Sequence, residues 1–127
     1  MTPEDFSRQF ATAFSVQNVP ALASFIAPMG SVLTLTGAWC ENRAQAQTAF
    51  EAEAKGIFMR AKLITGKGQV HSLSVDISLL RQRFVIMGPV DETGADLPRF
   101  GAMLVAVLQR TGAQWLAQSL TFTALPQ

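Results

Sequence analysis

Apolar residues recur at helical spacing in the N-terminal part of the chain and at strand spacing in most of the remainder. Phe6, Phe10 and Phe14 lie four residues apart in one stripe, which predicts an amphipathic helix. Thr2 can cap this helix, and Pro3 suits its first turn. Burying each phenylalanine is worth about 1.5–3 kcal/mol, so the stripe can hold the helix against a sheet.

Two further helices, separated by a strand, are predicted before residue 56. Asn18 can cap a short second helix that Pro28 ends. The β-branched and apolar residues of 31–38 predict a strand. Asn42 can cap a third helix, predicted over residues 43–55.

From residue 60 onward the pattern predicts strands alone. Parallel βαβ units would need helices between these strands, and the sequence offers none there. Helices followed by a run of strands therefore favour the α+β class with an antiparallel sheet. The strands are predicted at 60–65, 70–79, 83–87, 102–110 and 114–124, with a turn at Gly66-Lys67-Gly68 and an irregular loop over 88–98.

Composition narrows the function classes. The 127 residues suit one domain, 1–127, and the net charge of +1 comes without a basic run interleaved with aromatics, so no nucleic-acid partner is expected. Charged residues make up only 15% of the chain, so apolar surface should be exposed, and we expect a homodimer. No apolar run approaches the ~20 residues of a membrane span. A single cysteine, Cys40, and the lack of a signal peptide favour a cytoplasmic location.

Several short motifs occur in an order that resembles one superfamily. They are Ala13-Phe14-Ser15 with Asn18 and Ala21-Leu22, Phe25-Ile26-Ala27-Pro28, Gly37 and Trp39 with Arg43, and Leu104-Val105-Ala106-Val107-Leu108 with Arg110, Gly112 and Trp115. Together they resemble the NTF2-like superfamily, more narrowly its SnoaL-like, SgcJ/EcaC-type (DUF4440-like) group. The resemblance spans nearly the whole chain. It implies a cystatin-like cone, in which three N-terminal helices pack on a curved, mostly antiparallel sheet around a deep pocket, and often a dimer through the outer sheet face.

Asp76 and His71 are the candidate catalytic residues. Asp76 lies within a predicted strand, where alternation places it on one polar face with Ser74 and Ser78. It would be a general base in a dry pocket, or an ordinary surface carboxylate on a solvated face. His71, the single histidine, would be an acid/base partner or a residue at the rim. Strict alternation puts the two on opposite faces, so a β-bulge would be needed to bring both to one pocket.

Four residues are candidates for ligand binding. Trp39, which the resemblance places near the pocket mouth, would stack on a planar ligand or pack in the core. Met87 would line an adaptable pocket or ordinary core, and Phe14 belongs to the stripe that would face that pocket. Arg43 would clamp an anion or simply open the third helix.

Two functions stay open, because members of the superfamily include both enzymes and binding proteins. The first is a non-catalytic module whose cone binds a small apolar molecule or is simply filled, and whose exposed sheet forms a dimer. The second is a cofactor-independent isomerase, cyclase or dehydratase that uses Asp76 with His71. The chain has no tyrosine, so the phenol of a steroid-isomerase site is missing. No glycine-rich phosphate loop implies a cofactor, and one histidine with one cysteine makes a dedicated metal site unexpected.

Overall fold

The computed structural model describes residues 1–126 and packs three helices against one six-stranded sheet, as the α+β prediction requires. Its helices are α1 (Asp5–Ser15), α2 (Val19–Ser24) and α3 (Arg43–Lys55). Its strands are β1 (Ile26–Leu33), β2 (Trp39–Cys40), β3 (Lys62–Ser74), β4 (Ile77–Met87), β5 (Phe100–Thr111) and β6 (Gln114–Ala124).

The strand order in the curved sheet is β2-β1-β6-β5-β4-β3. All neighbours are antiparallel except β1 and β6, which run parallel. The prediction that Pro28 ends α2 was wrong, since β1 already begins at Ile26. Proline has no N–H for a ladder, and Pro28 is tolerated because the β1–β6 register shifts between Ile26 and Ser31.

Two of the three predicted helix caps are confirmed. Asn18 Oδ1 accepts the N–H of Ala21 at 3.1 Å, and Asn42 Oδ1 accepts that of Gln45 at 2.9 Å. The predicted cap by Thr2 was wrong. Its hydroxyl donates to the Asp5 carboxylate at 3.1 Å, and the backbone N–H of Thr2 donates to the same carboxylate. Both these bonds and the nearby Arg8 lower the pKa of the Asp5 carboxyl.

The apolar stripe of α1 faces the sheet, as predicted. Phe6 and Phe10 are 0% exposed, and Phe14 is 6% exposed. They meet alternate residues of β4, β5 and β6, and the ring of Phe10 lies 5.8 Å from that of Phe122. The helices therefore cover one face of the sheet, called the inner face below, and leave the outer face without a covering layer.

The predicted turn at Gly66-Lys67-Gly68 was wrong, because β3 continues through it as a β-bulge. The side-chain amide of Gln82, on the neighbouring strand, donates to the carbonyl oxygens of Gly66 (2.9 Å) and Lys67 (3.1 Å), and also to that of Arg83 (2.9 Å). A Cβ at position 68 would overlap the carboxamide of Gln82, so any larger residue there would displace the Gln82 side chain. Gly66 and Gly68 predicted a turn, whereas in the structure Gly68 leaves room for the buried side chain of Gln82 to stabilise a bulge.

The connection between β3 and β4 is a turn at residues 75–76. The single strand predicted over 70–79 was therefore wrong, and Asp76 lies at the tip of a hairpin. Arg83–Met87 is the second half of β4, because Gln82 pairs with Gly68 and continues the ladder.

Candidate functional site

The outer face of the sheet carries a row of residues that spans all six strands. Its members lie directly opposite one another in successive strand pairs, so their side chains share one face. From β2 to β3 the row is Trp39, Leu33, Thr121, Val105, Arg81 and Gln69. The β1, β6 and β5 end of this row is apolar or hydroxylic, whereas the β4 and β3 end is polar.

Neighbouring rows widen the apolar part of this surface. Val107 and Met103 flank Val105 on β5, and all three are half-buried although no layer covers them. Trp39 is 79% exposed, which is unusual for a tryptophan. We call the set Leu33, Trp39, Met103, Val105, Val107 and Thr121 the outer apolar patch. Beside Trp39 it contains a groove of about 230 Å³ that Leu33, Cys40 and Thr121 help to line.

The inner side of the cone is filled by aromatic rings. Phe10 lies between Phe6, Phe14, Phe25 and Phe122, with ring centroids 5.8–6.4 Å apart. The hollow between the helices, which Phe14 and Phe58 help to line, has a volume of about 10 Å³. That space holds about one water molecule, so in this arrangement the hollow does not admit an organic ligand.

Glu53 of α3 is a buried carboxyl group that the sequence reasoning did not single out. It is 7% exposed, and its Oε2 accepts the hydroxyl of Thr36 at 2.6 Å and the backbone N–H of Thr36 at 3.4 Å. The carboxyl group also borders the 10 Å³ hollow. Burial, and then the nearby charge of Glu53, raise the pKa of the Cys40 thiol, so this cysteine is not an activated nucleophile. The sequence signal for a buried Glu53 was its position on the apolar side of the predicted third helix.

Ser7 of α1 is another buried polar residue that the sequence did not indicate. It is 5% exposed, and its hydroxyl has no hydrogen-bond partner within residues 1–126. It borders a cleft of about 340 Å³ between α1 and the β3 bulge, together with Glu4 and Gln82. A hydroxyl on an apolar stripe gives no sequence signal, because serine is common on both faces of helices.

The two candidate catalytic residues do not meet in the cone. Asp76, in the hairpin turn, accepts from Arg110 Nη2 at 2.7 Å and Nε at 2.9 Å, and both side chains are about half exposed. His71 lies opposite Leu79 on the outer face and is exposed. Alternation had placed the pair on opposite faces of one strand, whereas the structure has His71 in β3 and Asp76 in the turn that follows it.

The four candidate ligand-binding residues lie in different places. Phe14 is part of the ring cluster inside the cone, and Trp39 is exposed on the outer apolar patch. Met87 ends β4 opposite Lys62, on the same side of the strand as Arg81. Arg43 Nε donates to the carbonyl oxygen of Ile26 at 2.7 Å, which ties the start of α3 to β1. The structure therefore brings no two of them into one hollow.

Neither a metal site nor a membrane span is found in the part of the chain that the structure describes. Over residues 1–126, no group of three or more histidine, cysteine, aspartate or glutamate side chains could hold a metal ion. No helix in the same range is long and apolar enough to cross a membrane.

No protein-family model matches the chain, and the search of curated proteins finds no relative. Solved structures do match. An uncharacterised protein with a cystatin-like fold from Caulobacter vibrioides is 19% identical and has a TM-score of 0.85, over 97% of this chain and 87% of that one. A ketosteroid isomerase-like protein from Erwinia carotovora atroseptica is 10% identical at a TM-score of 0.83, over 98% and 94%.

An NTF2-like protein with a cystatin-like fold from Novosphingobium aromaticivorans is 16% identical at a TM-score of 0.74, over 96% of this chain and 78% of that one. The TM-scores establish the fold, whereas sequence identities this low leave the activity open. The narrower SnoaL-like assignment stays a prediction. The chain has the cystatin-like, NTF2-like α+β fold that its sequence resembles.

Proposed function

We propose that this chain is a non-catalytic assembly module that forms a homodimer through the outer face of its sheet. The observation that carries the proposal is the outer apolar patch, which holds half-buried valines and an exposed tryptophan on a face that no helix covers. Exposed apolar areas of this kind mark interfaces. A cytoplasmic location is part of the proposal, since Cys40 is a free thiol.

The size of the apolar patch agrees with a second copy of the chain as its occupant. The strands that carry most of it, β1, β5 and β6, are 8–12 residues long. Three strands about 4.8 Å apart and about 10 residues long cover on the order of 500 Å². Interfaces at the small end of the range bury under about 600 Å² on each partner, so the patch suits a small dimer interface that leaves the cationic β3–β4 half of the face accessible. In a two-fold dimer the same patch meets itself, so an apolar surface is complementary without a matching charge pattern.

The binding of a small apolar molecule inside the cone would require the cone to open first. The 10 Å³ hollow between the helices has to expand before it admits such a ligand. Phe14, Phe50 and Phe58 line it, so these rings would have to move apart, with loss of their packing. Dimerisation requires no such rearrangement, so the structure favours it over ligand binding inside the cone.

The enzyme alternative is supported by the likeness to a ketosteroid isomerase-like structure. It would need an acid/base group beside a hollow that admits a carbonyl compound. Asp76 instead pairs with Arg110 at the tip of an exposed hairpin. If this alternative holds, an apolar ketone must perturb the NMR amide signals of Asp76 and His71 together. A perturbation that involves neither residue contradicts it.

The dimer is tested by measuring the mass in solution with multi-angle light scattering. We expect twice the 13.7 kDa of the chain at about 50 μM for the wild type. Val105→Arg places a charge at the centre of the patch and should give the monomer, with the thermal unfolding curve still cooperative. Val16→Arg is the matched control, because Val16 is 63% exposed at the end of α1, on the helix side.

Two results would overturn the proposal. One is a monomeric wild type at about 50 μM or above. The other is a Val105→Arg variant as dimeric as the wild type, which would place the interface elsewhere. Acrylamide quenching adds an independent readout, since Trp39 should be shielded in the dimer and accessible in the Val105→Arg monomer. Trp115, which is 8% exposed, should be shielded in both.

A further inference from the structure

Three cationic side chains line one hollow on the polar half of the outer face. The hollow has a volume of about 200 Å³, and Lys67, Arg81 and Arg83 line it together with Gln69 and Met103. Arg81 and Arg83 are alternate residues of β4, so they project from the same face about 7 Å apart along the strand. Lys67 approaches from the bulge of β3, and Gln69 lies directly opposite Arg81.

These cations have no acidic partner among residues 1–126. The ion pairs in that range join Arg8 to Asp5, Arg60 to Asp96, and Arg110 to Asp76. Arg81 Nη2 instead donates to the neutral side chain of Gln69 at 2.6 Å. The chain as a whole carries only +1, so the concentration of positive charge is local. Like charges this close repel one another, and a bound anion would relieve that repulsion.

The backbone of Lys67 is held by buried structure and is not part of a flexible loop. Gln82, which is 5% exposed, donates to the carbonyl oxygens of both Gly66 and Lys67 and so holds the bulge against β4. Gln69 likewise orients the guanidinium of Arg81. The backbone that carries Lys67 and the guanidinium of Arg81 are therefore held in place before any ligand arrives, which reduces the entropy lost on binding.

We propose that this hollow binds the oxyanion group, phosphate or carboxylate, of a small organic molecule. The planar donors of Arg81 and Arg83 suit the two oxygens of such a group, and Lys67 adds a point charge. An adjoining hollow of about 260 Å³ shares Gln69 and Arg81 and is also lined by His71 and Leu79. Leu79 and Met103 provide apolar surface beside the cations, so the body of the ligand has a wall to contact.

The test is an NMR titration of the full chain in Tris buffer at constant ionic strength. The probes are phenyl phosphate, benzoate and inorganic phosphate, with benzamide as the neutral analogue of benzoate. We expect phenyl phosphate or benzoate to shift the amide signals of Gln69 and Arg81 in a saturable way, with a dissociation constant on the order of 1 mM. The stronger probe identifies the group that the site prefers, and benzamide should give no saturable shift.

Variants assign the binding to the hollow. Arg83→Gln and Lys67→Gln should each weaken the binding about tenfold, the effect of one lost charge-assisted contact. Arg8→Gln removes the same charge from α1, on the other side of the sheet, and should change nothing. Both hollow residues are exposed, so the variants should keep the wild-type melting curve.

Three outcomes would overturn the assignment. In the first, sodium chloride at matched ionic strength reproduces the shifts, which would make them a screening effect. In the second, Arg83→Gln and Lys67→Gln bind as well as Arg8→Gln. In the third, a single-stranded oligonucleotide binds far more tightly than every small probe, which would make the cations a nucleic-acid contact. Because these readouts do not depend on mass, a monomeric wild type would refute the dimer and leave this site intact.

Discussion

Phe10→Ala tests whether the cone is filled by its own side chains. Phe10 is 0% exposed and lies in contact with four other rings, 5.8–6.4 Å away between centroids. Truncation of a buried phenylalanine costs about 3–5 kcal/mol, since the transfer free energy is lost and a cavity remains. With this many ring contacts we expect about 4 kcal/mol, out of a total of about 6–19 kcal/mol for a domain of this length.

Urea unfolding followed by circular dichroism measures this loss. With a slope of about 2 kcal/mol per molar urea, the midpoint should fall by about 2 M at an unchanged slope. Phe100→Ala is the control, because Phe100 is only half-buried at the start of β5 and should lose about half as much free energy. The cavity left by Phe10→Ala is lined by rings and apolar, so toluene should bind there and restore part of the stability.

The reasoning would be refuted by a loss below about 1.5 kcal/mol at an unchanged slope, because a side chain with room to spare loses little on truncation. It would also be refuted if toluene stabilised the wild type as much as the variant. That result would show that the cone already holds a hollow the size of a ring. The interior would then be a ligand site as it stands, and the sequence-based expectation of a deep pocket would be correct.

Two further predictions concern polar groups. Gln82→Leu keeps the side-chain volume but removes the donor shared by the carbonyl oxygens of Gly66, Lys67 and Arg83. Urea unfolding should show that the free energy of unfolding falls by about 2–3 kcal/mol. A fall below about 0.5 kcal/mol would mean that the bulge is stable without this side chain. The pKa of the Cys40 thiol is raised in the folded chain, so its contribution to stability is full below the unfolded pKa and is lost as the pH rises toward the folded one. Iodoacetamide at pH 8.5 should therefore alkylate the native chain much more slowly than the urea-unfolded chain, and equal rates would contradict the burial of the thiol.

The features that the sequence predicted correctly depend on neighbours a few residues away. The stripe of Phe6, Phe10 and Phe14 needs only the period of one helix, and the caps at Asn18 and Asn42 need only the N–H three residues on. The fold class followed from the order of these elements. No long-range information was required for any of them.

The features that were missed depend on residues far away in the chain. The segment Gly66-Lys67-Gly68 is a bulge because Gln82 binds its carbonyl oxygens from the next strand. Asp76 lies in a turn, and its partner Arg110 follows 34 residues later. Glu53 is tolerated inside because Thr36, 17 residues earlier, donates to it twice. Local alternation carries no information about these partners, so it placed Asp76 inside a strand.

The functional surface is the extreme case of this dependence. The row from Trp39 to Gln69 exists only after six strands are aligned in an order that differs from their order in the chain. A one-residue slip between β4 and β5 would turn Val105 toward the helices and Leu104 toward water. The packing of the aromatic core on the inner face opposes that slip, because Leu104 is 0% exposed there. The core thus sets the register, and the register sets which side chains an incoming partner or anion would meet.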